Sequence, residues 1–266
     1  MKYVLLIVLV LTGHVAAAQD TDLRTLDTQQ LSRGWEAVGR LDIDRAGFCT
    51  AALISETTIL TAAHCVYGED GSRIPPERFT FQAGLRDGRA AATRAIVRAT
   101  PHPDYVHHGQ RAEDSAVSVD LAVLELDRPI RLPSLTPYPV GPGPATGTNV
   151  AVVSYARDRA NAASLQKTCH VLQRAGSVLM MTCAADFGAS GAPVFAIADG
   201  IARIVSVVSA KGTMEQTPVS LAAVVAGTLD AVLVAHRAGE TPIITAKPRF
   251  TSSGTRNDTG AKFVRP

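Results

Sequence analysis

Beyond its first eighteen residues the chain has no apolar run long enough to cross a bilayer, a span that needs about 20 residues. It has no marked excess of either charge: 26 Lys and Arg stand against 24 Asp and Glu, a formal net charge of +2. Bulk charge therefore selects no nucleic-acid partner. Cysteine is sparse, with four in the chain and no C-x-x-C pair, which argues against a structural zinc site. No segment repeats, so an array of stacked units is excluded.

The N-terminus has the layout of an export signal. Lys2 precedes an apolar run over residues 4–11, and Ala16-Ala17-Ala18 supplies small residues for cleavage. This predicts a secretory signal peptide over 1–18 and a secreted or periplasmic protein. The run is too short for a membrane anchor. The four cysteines, Cys49, Cys65, Cys169 and Cys183, are an even set in an exported chain and suggest disulfides. Three connectivities are possible. The local one, Cys49–Cys65 with Cys169–Cys183, would close two loops of about 15 residues, each worth ~3 kcal/mol in the chain-entropy model.

Residues 19–33 are polar and lack a strand pattern. From Trp35 onward, short β-branched or alternating runs recur between turn residues, at 37–41, 49–54, 57–61, 79–83, 94–98 and 121–126, the spacing of a barrel or sandwich. Residues 129–146 hold Pro129, Pro133, Pro137, Pro139, Pro142 and Pro144. Proline cannot feed a central ladder, so this stretch reads as a linker. A second strand series follows at 149–153, 167–172, 177–182, 193–197 and 202–208. A terminal helix is predicted over 226–236, ending before Gly239. The tail, 239–266, is polar and is expected to be disordered. The predicted organisation is thus a signal (1–18), an N-terminal segment (19–33), a first barrel (34–130), a linker (131–146) and a second barrel with the helix (147–238).

Three short segments carry chemistry. Thr61-Ala62-Ala63-His64-Cys65 presents a histidine just after a strand. Asp120 directly precedes the apolar strand that starts at Leu121, which would hold its carboxylate beside buried side chains. Asp114 instead lies among Arg111 and Glu113, and Asp127 precedes Arg128-Pro129 at a turn. Gly188-Ala189-Ser190-Gly191-Ala192-Pro193 sets a serine between glycines, where backbone N–H groups can approach a substrate carbonyl. A hydroxyl is a weak nucleophile unless a positioned base takes its proton. An imidazole oriented by a carboxylate is such a base.

In these segments, with His102-Pro103-Asp104-Tyr105 upstream of the acid, the chain resembles the chymotrypsin/trypsin-like serine proteases, and within them the small bacterial, glutamyl-endopeptidase-like branch. The resemblance runs from about Gly34 to about His236. It implies an all-β fold of two six-stranded antiparallel barrels with a C-terminal helix. It also implies catalytic His64, Asp120 and Ser190, and an oxyanion hole from the N–H groups of Gly188 and Ser190. Two departures matter. Family members activated by cleavage carry an aspartate before the nucleophile to receive a new N-terminus, and here Ala189 holds that place. No Arg-Ile-Val-Gly-Gly site is present either. Activation by N-terminal insertion is therefore not expected, and the segment before Trp35 becomes a candidate support for the oxyanion loop.

The resemblance also points to the substrate pocket. Ala184 takes the place six before the nucleophile where trypsin-like members put an acid. The wall strand is read as Ser206-Val207-Val208, which predicts a narrow pocket for a small or medium apolar side chain. His107-His108 with Glu113 and Asp114 is accounted for by an extended polar loop, so no metal and no cofactor are expected. The leading reading is a monomeric exported serine endopeptidase acting on proteins or peptides. A catalytically silent binding protein on the same scaffold is the alternative. An α/β-hydrolase is disfavoured, because that class places its histidine last in the chain.

Overall fold

The computed structural model describes residues 21–44, 46–107 and 114–239. The expected signal and the tail beyond Gly239 lie outside the described residues, as do His108 and Glu113.

The first barrel is built from β2 (Val38–Ile43), β3 (Gly47–Ser55), β4 (Thr58–Thr61), β5 (Phe79–Ala83), β6 (Ala92–Pro101) and β7 (Ala122–Leu126), and it closes in the order β2-β3-β4-β7-β6-β5. Strict alternation drives β5, where Phe79, Phe81 and Ala83 are buried while Thr80 and Gln82 are not.

The second ring contains β8 (Asn149–Ala156), β9 (Arg159–Ala175), β10 (Val178–Met181), β11 (Pro193–Ala198), β12 (Ile201–Met214) and β13 (Thr217–Val224). Pairing runs β9-β10-β13-β12-β11-β8, and β8 pairs back onto β9, which closes six strands into a second antiparallel barrel. Strand β8 is buried on both faces. Val150 and Val152 point into the second barrel's core, whereas Ala151, Val153 and Tyr155 join a core shared with the first barrel.

Several elements differ from the sequence-based expectation. The N-terminal segment forms a three-residue strand, β1 (Leu23–Thr25), and one short turn of helix, α1 (Gln29–Ser32). Strand β1 pairs with β9 from Leu23↔Gln166 to Thr25↔Ser164. Three residues give too short a pattern to read, and their contribution is backbone hydrogen bonding. Another short helix, α2 (Asp114–Val117), leads into Asp120. The terminal helix is α3 (Thr228–Ala238), and it starts two residues late because Gly227 has φ 83° and closes the preceding turn. Its buried Leu229, Val232 and His236 share one face. The His236 ring pairs with Thr100 of β6 at 2.9 Å, so the helix docks on the first barrel.

Disulfides join Cys49 to Cys65 and Cys169 to Cys183. The first ties β3 to the turn that follows β4.

Candidate active site

Antiparallel register brings the first two groups together. Thr61 of β4 pairs with Ala122 of β7, so the residues just after β4 and just before β7 meet at one end of the barrel. His64 lies in the short 3₁₀ turn Ala63–Val66 and Asp120 in the approach to β7. The His64 backbone N–H donates to Asp120 Oδ1 at 2.8 Å, and His64 Nδ1 meets Asp120 Oδ2 at 2.7 Å. The Ser209 hydroxyl donates to the same Oδ2. His102, buried at the end of β6, donates its N–H to Leu121 O at 2.8 Å and fixes the start of β7.

The carboxylate is buried, whereas the His64 side chain keeps 28% of its surface exposed at the cleft. Burial alone would lower the His64 pKa. The Asp120 charge and hydrogen bond outweigh it and hold the ring above its ordinary value of 6.5. Burial alone would likewise raise the Asp120 carboxyl. The charge of His64, with hydrogen bonds from the His64 side chain, Ser209 and the His64 backbone, holds it below the ordinary value. Asp120 is thus ionised and His64 oriented.

Ser190 comes from the other barrel, in the turn between β10 and β11. It shares a cleft of about 690 Å³ with His64, Gly188, Phe48, Tyr67 and the Cys49–Cys65 bridge. Gly188 has φ 96°, and a Cβ there would lie 2.3 Å from the Phe48 ring, so glycine is required. Among the described residues, neither the Gly188 N–H nor the Ser190 N–H donates to a protein acceptor. Their peptides are held from behind: Phe187 O accepts from Arg157 N–H at 2.8 Å, and Ala189 O from Ala192 N–H at 3.0 Å. The Ser190 hydroxyl makes no hydrogen bond to His64 among the described residues. Such contacts are often long before substrate binds.

A model of the trypsin-like peptidase domain matches residues 49–202, more than half of the chain. The chain belongs to this family. It is 29% identical to trypsin zeta of Drosophila erecta over 125 residues, 47% of this chain and 41% of that one. It is 30% identical to coagulation factor IX of Oryctolagus cuniculus over 87 residues, 33% of this chain and 29% of that one. The chain thus spans less than half the length of these curated relatives. Among solved structures, that of Glu endopeptidase in complex with MPD superposes with a TM-score of 0.67 at 18% identity, covering 83% of this chain and 99% of that one. At that identity the likeness is one of fold.

The residues expected to form a pocket wall are placed differently from the sequence expectation. Ser206, Val207 and Val208 do not line an open wall. All three are buried, with Val207 in the shared core and Val208 in the second barrel's core. The residue that reaches Asp120 is Ser209, three positions on. Strand β12 carries two irregularities. The register slips between Ile204 and Ser206 against β11, and again between Val208 and Ala210 against β13. Each bulge reverses which face the next residue takes, so alternation cannot tell Ser206 from Ser209. Ala184 does line a hollow of about 660 Å³, with Thr182, Lys211, Gly212, Thr213 and Val219. The Lys211 ammonium sits 3.1 Å from Asp186 and 4.4 Å from the Phe187 ring centroid. Sequence reasoning passed over Ser209, Lys211 and Arg157. Only the serine carried a signal, as the second serine of Val205-Ser206-Val207-Val208-Ser209.

Proposed function

We propose that the chain is an exported serine endopeptidase that hydrolyses peptide bonds through Ser190, His64 and Asp120. The observation that carries this reading is that the His64–Asp120 pair shares a cleft with Ser190 and Gly188, whose N–H groups have no protein acceptor among the described residues. Ser190 Oγ attacks the substrate carbonyl while His64 takes the hydroxyl proton through Nε2, its Nδ1–H directed at Asp120. The developing oxyanion is received by the two N–H groups. The C–N bond then breaks, His64 returns the proton to the leaving amine, and water hydrolyses the acyl-enzyme by the reverse sequence. These steps use only side chains, backbone and water.

The substrates are proteins or peptides, not nucleic acid, and the chain acts as a monomer outside the cytoplasm, secreted or periplasmic. The signal is assigned to 1–18, the two barrels to 34–130 and 147–238 and the linker to 131–146. Small side chains around Ala184 favour a small or medium apolar residue before the scissile bond. A cleavage profile dominated by Arg, Lys or Glu would exclude that preference. The deciding experiment is fluorophosphonate labelling of the purified protein alongside digestion of a peptide mixture. Labelling and cleavage, both lost in Ser190→Ala, support the reading. A folded protein that neither labels nor cleaves is a silent binding protein on the protease scaffold.

A further inference from the structure

The turn that carries Ser190 has no charge at position 189, directly before the serine, to anchor it. Ala189 is fully buried and apolar, and the glycines beside it, Gly188 and Gly191, adopt φ values of 96° and 79°. Glycine tolerates both signs of φ, so sterics alone do not hold the peptides on either side of Gly188 in one orientation. Hydrogen bonds from outside the turn must do it.

One residue of the first barrel supplies two of them. Thr50, in β3 and fully buried, donates its N–H to Ser190 O at 2.8 Å. Its hydroxyl donates to Gly188 O at 2.8 Å and accepts from Tyr155 N–H at 3.0 Å. A hydroxyl has a single proton to give. With Tyr155 N–H on its lone pair, that proton is left for a carbonyl, and Gly188 O is closer than Tyr155 O at 3.5 Å. The β-branched side chain is stiff at χ1. Thr61 of β4 donates its hydroxyl to Thr50 O at 2.8 Å and braces the strand from behind. The carbonyl before Gly188 is held by Arg157 and the carbonyl of Gly188 by Thr50, so its φ and ψ are fixed from both sides. Of these contacts to the turn's backbone, the one to Gly188 O alone comes from a side chain, and removing that hydroxyl also takes the acceptor from Tyr155 N–H.

We propose that Thr50 is a positioning residue that keeps the 188–190 turn in its oxyanion-binding form, taking the place of an ion pair at position 189. The proposal rests on the peptidase reading above. Its test compares full-length wild type, Thr50→Val and Thr50→Ser at a temperature well below the melting point of each. The rate of Ser190 labelling by a fluorophosphonate, kcat and KM on one peptide substrate, and Tm are measured. Valine keeps the shape and loses both the donor to Gly188 O and the acceptor of Tyr155 N–H, and serine keeps both. The expected result is a fall of roughly 10²-fold in kcat and labelling rate, the size of a lost oxyanion contact, with KM within about threefold. Serine should restore most of the rate. Should Thr50→Val not fold, Thr50→Cys, whose thiol is a weak donor, should show the same loss in kcat.

A merely structural role lowers Tm and leaves the kcat of the folded protein unchanged, and that result overturns the proposal. So does a loss that serine fails to restore. Wild type that labels normally beside an equally active valine variant removes Thr50 alone. Wild type that does not label removes the peptidase reading and this proposal with it.

Discussion

At the scale of single residues, the proposed chemistry depends on which protonation state His64 holds. The imidazole accepts a proton only when neutral, and Asp120 stabilises its charged form and holds its pKa above 6.5. As the pH falls through that raised pKa, His64 protonates and catalysis stops. As it rises, activity appears. Asp120, held below its ordinary range, stays ionised throughout. The acid limb of kcat/KM against pH is therefore expected to have its midpoint above 6.5. A midpoint at or below that value would show that burial of the ring outweighs the Asp120 charge. The two residues were legible because their local contexts are distinctive, His64 before a cysteine and Asp120 before an apolar strand. Ser209 was not, since its role comes from a bulge that turns its hydroxyl toward Asp120.

At the scale of elements, small pieces with weak sequence patterns act by pairing. Strand β1 borders Gln166 of β9, and Gln166 Oε1 accepts the Ala184 N–H at 2.7 Å. Ala184 begins the stretch that runs to Ser190. The N-terminal segment thus reaches the nucleophile loop indirectly, through one side chain of β9. Protein beginning at Trp35 loses β1 and is expected to fold with kcat/KM lowered by roughly tenfold, equivalent to ~1.4 kcal/mol. Steady-state kinetics on the truncated and full chains decide it, and full activity in the truncated form removes this segment from the support of the loop. Strand β9 itself was half legible. Its second half carries the alternation predicted at 167–172, while residues 159–166, mostly polar or small, pair with β8 and β1 through their backbones.

At the scale of the whole molecule, the barrels share rather than abut. The main core contains Leu41, Phe81 and Leu124 of the first barrel together with Tyr155, Phe195 and Val207 of the second. Arg40 donates to Ala160 O at 2.9 Å and the Tyr155 hydroxyl to Leu85 O at 3.0 Å across the same seam. Neither barrel can open without exposing the other's apolar surface. Urea unfolding is therefore expected to be a single transition. The sole tryptophan offers the check, because Trp35 packs edge-on against Phe195 with ring centroids 5.1 Å apart. Its fluorescence reports the seam, far-UV circular dichroism reports the strands, and the two midpoints should coincide. Separated midpoints would mean that the barrels unfold one at a time.

The sequence by itself determined the strand-rich class, the break between two strand series at the proline-rich stretch and the three segments that carry His64, Asp120 and Ser190. Each of these is written in local pattern: β-branched runs, proline's missing N–H, glycines around a serine. The tertiary structure decided what depends on register and on contact between distant strands. It closed both rings and coupled Thr50 to Gly188 across 138 positions. It also turned the Ser209 hydroxyl toward Asp120. Hydrogen bonds of that kind are set by where bulges fall and how two barrels seat, and no window of neighbouring residues encodes either.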